Sequence, residues 1–206
     1  MTLTQFNLFL QTYDIDTELK ARKIIEKYSD YHYVFDKNED KYGFDLIVFK
    51  YEINKGEFKK NEMGYIEIEC ATTWKTFKIP QNWYCVSFLK RKLYNYNFKE
   101  KVWGLPKPNL YKTIYLKFNQ PMTNCFCQNM LYIIRNGQDS RRNDDINSYN
   151  NSFIELEKKL VYWGVKNCVN YIVKYLSRIY EKQVETVEVK DEYKLNNLTE
   201  EWEYLK

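Results

Sequence analysis

Gly64-Tyr65-Ile66-Glu67-Ile68-Glu69-Cys70 is the stretch on which the reading of this 206-residue chain turns. Side chains alternate across a β-strand. As a strand, this segment sets Ile66, Ile68 and Cys70 on one face and Tyr65, Glu67 and Glu69 on the other. Upstream, residues 43–51 read GFDLIVFKY. The same alternation sets Phe44, Leu46 and Val48 on one face and Asp45 on the opposite one. If the two strands pair, Asp45, Glu67 and Glu69 converge, and like charges that close repel unless a cation or a proton sits among them. Carboxylates with carbonyl and water oxygens suit Mg²⁺ or Mn²⁺. The plain alternative is a two-sided antiparallel sheet with a solvated acidic face.

Working outward, Ala21, Ile24, Ile25 and Tyr28 recur at helical spacing behind a cap at Asp16 or Thr17, which predicts a helix over Thr17–Tyr28. Strands are expected at Tyr31–Asp36, Phe44–Tyr51 and Gly64–Cys70, with Glu52–Glu62 as a hairpin loop. Further strands are expected at Trp83–Leu89, Thr113–Phe118 and Cys125–Ile134, and Asn136–Asn151 is polar enough to read as a loop. Val169, Ile172, Val173 and Leu176 predict a second helix from about Ile154 or Val165 to Tyr180. This order describes an α+β or mixed α/β domain, a central mixed sheet flanked by helices, over residues 1–182, followed by an acidic tail over 183–206. Within the tail, Leu198, Trp202 and Leu205 suggest at most a short amphipathic helix.

A hydrophobic content of 44% with 20 Tyr and 12 Phe supplies a core and excludes a disordered chain. The tail holds seven acids against three bases, which leaves the rest of the chain eight positive. A basic body is compatible with a phosphate-backbone partner or with a simply solvated surface. Five cysteines without paired metal-ligand spacing read as free thiols in a reducing compartment. No signal peptide or membrane-spanning run is visible, so a soluble cytoplasmic protein with no membrane partner is expected. His32 is the only histidine, which leaves histidine-based nucleophilic catalysis and zinc sites without support.

Two features surround the carboxylates. Glu18 falls on the edge of the apolar face of the first helix, where it can reach the sheet or simply favour the helix dipole. Lys90, Arg91 and Lys92 follow a strand, where alternation turns Lys90 and Lys92 one way and Arg91 the other. Phosphodiester hydrolysis needs a metal that polarises a phosphoryl oxygen and acidifies a water, with a base or cation to orient that water.

The pattern resembles the PD-(D/E)XK nuclease superfamily, whose core is a helix with a glutamate, a strand bearing Asp and a strand bearing Glu-x-Lys. Glu18, Asp45 and Glu67 match in order and element type, across roughly residues 14–92. The chain departs from the pattern at Glu69, which stands where the family has Lys, and at Gly43-Phe44, which precedes Asp45 in place of Pro. The resemblance implies a restriction-endonuclease-like core, with Mg²⁺ or Mn²⁺ on Asp45, Glu67 and the Ile68 carbonyl and with Glu18 acting through water. It implies hydrolysis of DNA, less often RNA, and a homodimer for cutting two strands. Either Glu69 assists the water or a lysine from elsewhere does so, with Lys90, Lys92 and Lys75 as candidates; Lys75 and Arg91 are also candidates for touching nucleic acid. Trp74, Trp83 and Trp103 flank the site in sequence and can stack on bases, though core packing is expected for at least two.

A metal-dependent endonuclease is therefore the expected function. A catalytically silent nucleic-acid-binding module on the same scaffold is one alternative, and a structural or inhibitory interaction protein of a virus or mobile element is another.

Overall fold

The computed structural model describes the chain apart from residues 1–2, 31, 40–42, 55–56, 72, 98, 100–101, 142–151 and 190–206. Helix α1 (Leu3–Tyr28) leads into β1 (Tyr33–Lys37), β2 (Leu46–Asn54) and β3 (Glu57–Ala71). There follow β4 (Cys85–Leu89), the short helix α2 (Lys90–Leu93), and a two-stranded ribbon of β5 (Tyr94–Asn97) and β6 (Val102–Pro106). Then come β7 (Thr113–Asn119), β8 (Cys125–Asn129), α3 (Met130–Asn136), β9 (Gln138–Arg141), β10 (Ser152–Glu157), β11 (Tyr162–Trp163) and α4 (Val165–Val189).

Six strands form one mixed sheet in the order β1-β2-β3-β7-β8-β11, and β4, β10 and β9 form a second sheet of three. β3 and β7 run parallel, while the other described neighbours in the large sheet are antiparallel. Parallel neighbours need a long crossover, and here it carries β4, α2 and the ribbon. The fold is thus α+β, with a mixed sheet flanked by helices.

The two faces of the large sheet bury different things. Leu46, Val48, Ile66, Ile68, Ile114, Leu116 and Phe118 pack under α1 and α4, against Ala21, Ile25, Val169, Ile172 and Leu176. Ile172 and Leu176 are fully buried at the helical spacing seen in the sequence. The opposite face carries Tyr115 and Phe126, which pack with Trp74, Val86, Phe88, Met130, Ile133 and Ile154 beneath the small sheet and α3. Every residue of β7 is buried, as expected for a strand covered on both faces. Among the described residues, no helix is long and apolar enough to cross a membrane.

Several expectations need correction. The expected loop Glu52–Glu62 is mostly strand, since β2 continues to Asn54 and β3 begins at Glu57. Its successive pairs Glu52↔Lys59 and Ile53↔Phe58 alternate polar and apolar residues on an exposed ribbon, so the polar residues concealed a strand. The expected strand Cys125–Ile134 stops at Asn129, whose side chain caps α3 by accepting a hydrogen bond from the Tyr132 N–H at 3.0 Å. Lys90–Lys92 do not extend a strand but form the turn of α2. Part of the expected loop Asn136–Asn151 is α3 and β9, and the remainder, with the tail beyond Val189, lies outside the described residues.

Candidate functional site

The site lies where β2 and β3 part. Their ladder ends at Leu46↔Ile66, while β3 continues to Ala71 on the arm of its parallel partner β7. At Asp45 the backbone bends. The Asp45 carbonyl accepts the Asn38 N–H at 3.0 Å, and the carboxylate Oδ2 accepts the Ile68 N–H at 2.6 Å. A side chain thus replaces a strand as the acceptor for β3. The bend also places Phe44 with the second core cluster, 5.5 Å from the Tyr65 ring, whereas Leu46 and Val48 lie in the first. The uniform alternation expected from Phe44 onward is broken for this reason. Because the N–H and C=O of one strand residue leave on the same edge, the Ile68 carbonyl also faces the opening beside Asp45.

Glu67 is 2% exposed, on the face away from α1. Burial pushes its carboxyl up to about 8; Lys92 pulls it down, Asp45 pushes it further up, and Lys107 also pulls it down. Lys92 forms an ion pair with Glu67 Oε1, yet that oxygen lacks a hydrogen bond of regular geometry. Burial alone would lower Lys92, but Glu67 and Asp45 outweigh it and hold the ammonium above its ordinary value. Lys107 follows β6, and its N–H donates to the Leu93 carbonyl at the end of α2. Burial depresses its amine, with Glu67 pulling the other way and Lys92 and Arg91 among the charges it feels. Two acids, Asp45 and Glu67, and two bases, Lys92 and Lys107, therefore act on one another at this opening.

Glu69 occupies a separate, adjoining arrangement. Its Oε1 meets Lys117 Nζ at 2.8 Å, and its Oε2 accepts a hydrogen bond from the Tyr115 hydroxyl. Both partners come from β7, whose register sets Tyr115 opposite Glu67 and Lys117 opposite Glu69. Burial, then Glu69, push the Tyr115 phenol well above its ordinary range, so it stays a donor at neutral pH. The Tyr115 hydroxyl also accepts the Leu89 N–H at 3.3 Å, and Lys117 also donates to the Ser87 carbonyl at 2.9 Å.

The structure therefore brings Asp45, Glu67 and Lys92 together and sets Glu69 beside them. It places the other candidates elsewhere. Glu18 is carried by α1, which packs on the Ile66 and Ile68 face, across the sheet from Glu67. Lys90 turns to Asp139 at 2.5 Å and lies against the Tyr94 and Trp103 rings. Lys75 is exposed in the turn after β3. Arg91 acts on Lys92 and Lys107 through its charge. Trp74 is buried and Trp83 packs edge-on against it at 5.7 Å, which accounts for both as core. His32 is exposed. Cys125, Cys127 and Cys168 are buried thiols, while Cys70 and Cys85 are more accessible.

Lys107, Tyr115 and Lys117 were not reached by sequence reasoning. Lys117 carried the clearest signal, since a lysine inside the apolar run Thr113–Phe118 demands a buried partner. Lys107 carried none, because only the ribbon brings it to the site.

As to metal binding, among the described residues no three of His, Cys, Asp and Glu come together as a metal group. Mg²⁺ commonly takes one or two carboxylates and keeps several waters. The Asp45 and Glu67 carboxylates and the Ile68 carbonyl are oxygen donors of that kind, but Glu67 Oε1 is held by Lys92, which an ion would have to displace.

No family model matches the chain, and no curated protein matches it. One solved structure, described as D212, a nuclease from a fusselovirus, is similar at 13% identity with a TM-score of 0.37, over 88% of this chain and 96% of that one.

Proposed function

We propose that the chain is a metal-dependent nuclease that hydrolyses phosphodiester bonds, with DNA as its substrate. The observation that carries this reading is the buried Glu67 carboxyl beside Asp45 at the opening between β2 and β3, with Lys92 paired to it and Lys107 acting on it. A buried acid of raised pKa is costly in a purely structural role and is characteristic of sites that bind or react. Asp45, Glu67 and the Ile68 carbonyl would hold Mg²⁺ or Mn²⁺, and the Lys92 ammonium would leave Glu67 for the incoming phosphate. A bound divalent ion supplies charge for the phosphoryl oxygen and lowers the pKa of a water. Lys92 and Lys107 place positive charge where a phosphodiester must sit, and Glu69 faces the same side as an acceptor for the water. In the reaction, the water oxygen bonds to phosphorus, the bond to the leaving sugar oxygen breaks, that oxygen takes up a proton, and the water's proton passes to solvent.

The test is cleavage of plasmid, linear duplex, single-stranded DNA and RNA, each with Mg²⁺, with Mn²⁺ and with chelator, alongside calorimetric titration of Mn²⁺. Cleavage that requires the metal and disappears in Asp45→Ala supports the reading; full activity in that variant sinks it. The Lys92–Glu67 ion pair favours a second reading, a silent nucleic-acid-binding module in which the lysine permanently takes the cation's place. Salt-sensitive DNA binding without Mn²⁺ uptake would select that one.

A further inference from the structure

We propose that Lys117 is a positioning residue that, together with Tyr115, fixes the Glu69 carboxylate to orient the attacking water. The inference rests on the nuclease reading and extends it to a strand, β7, on which the sequence motif has no residue.

The geometry separates the two glutamates of β3. Glu67 is almost wholly enclosed, with Lys92 on it. The Glu69 side chain retains 16% exposure, so water reaches it, and each of its oxygens is held by a different side chain of β7. An ionised carboxylate offers about four lone-pair positions, and these two contacts leave the others open. A long acidic side chain at a strand surface is ordinarily free to rotate; this one is gripped at both oxygens. Its two clamps are themselves immobile. Lys117 is anchored by the Ser87 carbonyl of β4, and Tyr115 by the Leu89 N–H at the end of that strand. The clamp therefore ties the acidic face to the small sheet as well as to β7. Nothing about packing alone requires a lysine in a strand whose every residue is buried. Its partner is the acid at its own register position, Glu69↔Lys117.

A residue that positions a group already present when substrate binds acts on the reaction step more than on binding. Lys117→Met should lower kcat about 100-fold, in the range of loss of an acid–base or orienting group, with KM changed less than about threefold. Mn²⁺ uptake by calorimetry should be unchanged, because Asp45 and Glu67 are untouched. Lys117→Arg keeps the charge and the donors and should recover most of the lost kcat. If Lys117→Met fails to fold, Tyr115→Phe loosens the same carboxylate with less disturbance and should also lower kcat with KM held. Wild-type cleavage with kcat intact in Lys117→Met or Tyr115→Phe overturns the proposal alone. No cleavage by the wild-type chain under any metal condition overturns it together with the nuclease reading.

Discussion

Asp45 has two duties that substitution can separate. Its Oδ2 accepts the Ile68 N–H, and its charge lies against Glu67. Asp45→Ala removes both and leaves a β3 N–H without an acceptor, a loss of about 1–3 kcal/mol of stability. Asp45→Asn keeps an acceptor oxygen and should hold the urea midpoint near wild type while losing Mn²⁺ uptake. Equal destabilisation by the two variants would show that the hydrogen bond is not what Asp45 contributes. Glu67 gives a pH prediction for the metal-free protein. Its folded pKa of about 8 lies above the ordinary 4.5, so in the metal-free protein the Glu67–Lys92 pair holds a proton more tightly than the unfolded carboxyl does. Stability is then fully present below about pH 4.5 and declines as pH rises through about 8. Urea midpoints measured in chelator across that window should fall, and Glu67→Gln should flatten the fall. An unchanged slope in the variant would place the proton elsewhere.

At the scale of elements, Asn129 joins β8 to α3 and to the segment before β7. Its Oδ1 caps α3, and its Nδ2 reaches the carbonyls of Leu110, Tyr111 and Thr113 at 2.9–3.1 Å. Asn129→Ala removes a helix cap and strips buried carbonyls of their donor, so about 3 kcal/mol of destabilisation is expected by urea unfolding. A change under 1 kcal/mol would mean that water replaces the amide. Asn129 also shows what could be read beforehand. Its polarity was visible as an interruption of Cys125–Ile134, but the helix it starts is only seven residues long and gives periodicity little to work on. By contrast, Val169, Ile172, Val173 and Leu176 recur through successive turns, so α4 was legible, although it runs on to Val189 and not to Tyr180. Alternation in Gly64–Cys70 correctly set Glu67 and Glu69 on one face, because that rule depends only on the strand's own geometry. It failed at Phe44, which the bend at Asp45 turns to the second core cluster, and it was silent on Lys107 and Lys117. Those residues reach the acids through a crossover and a parallel register, neither of which leaves a mark on the local sequence.

For the whole molecule, a cation that binds only the native state raises its stability by mass action. Mn²⁺ at about 100 times its dissociation constant should add about 2.7 kcal/mol, read as a rise in the thermal midpoint over the chelated protein. Asp45→Asn should abolish that rise. A rise of equal size in the variant would place the ion away from the opening between β2 and β3. The parallel seam between β3 and β7 also sets an order of assembly. β2 and β3 form a local hairpin, while Tyr115 meets Glu69 across 46 residues of chain. Closing so long a loop is entropically slow, and contacts of high sequence separation slow folding. Closure of that seam is therefore expected to follow formation of the hairpin, and because it brings Tyr115 and Lys117 to Glu69, the clamp on that carboxylate should form late in refolding.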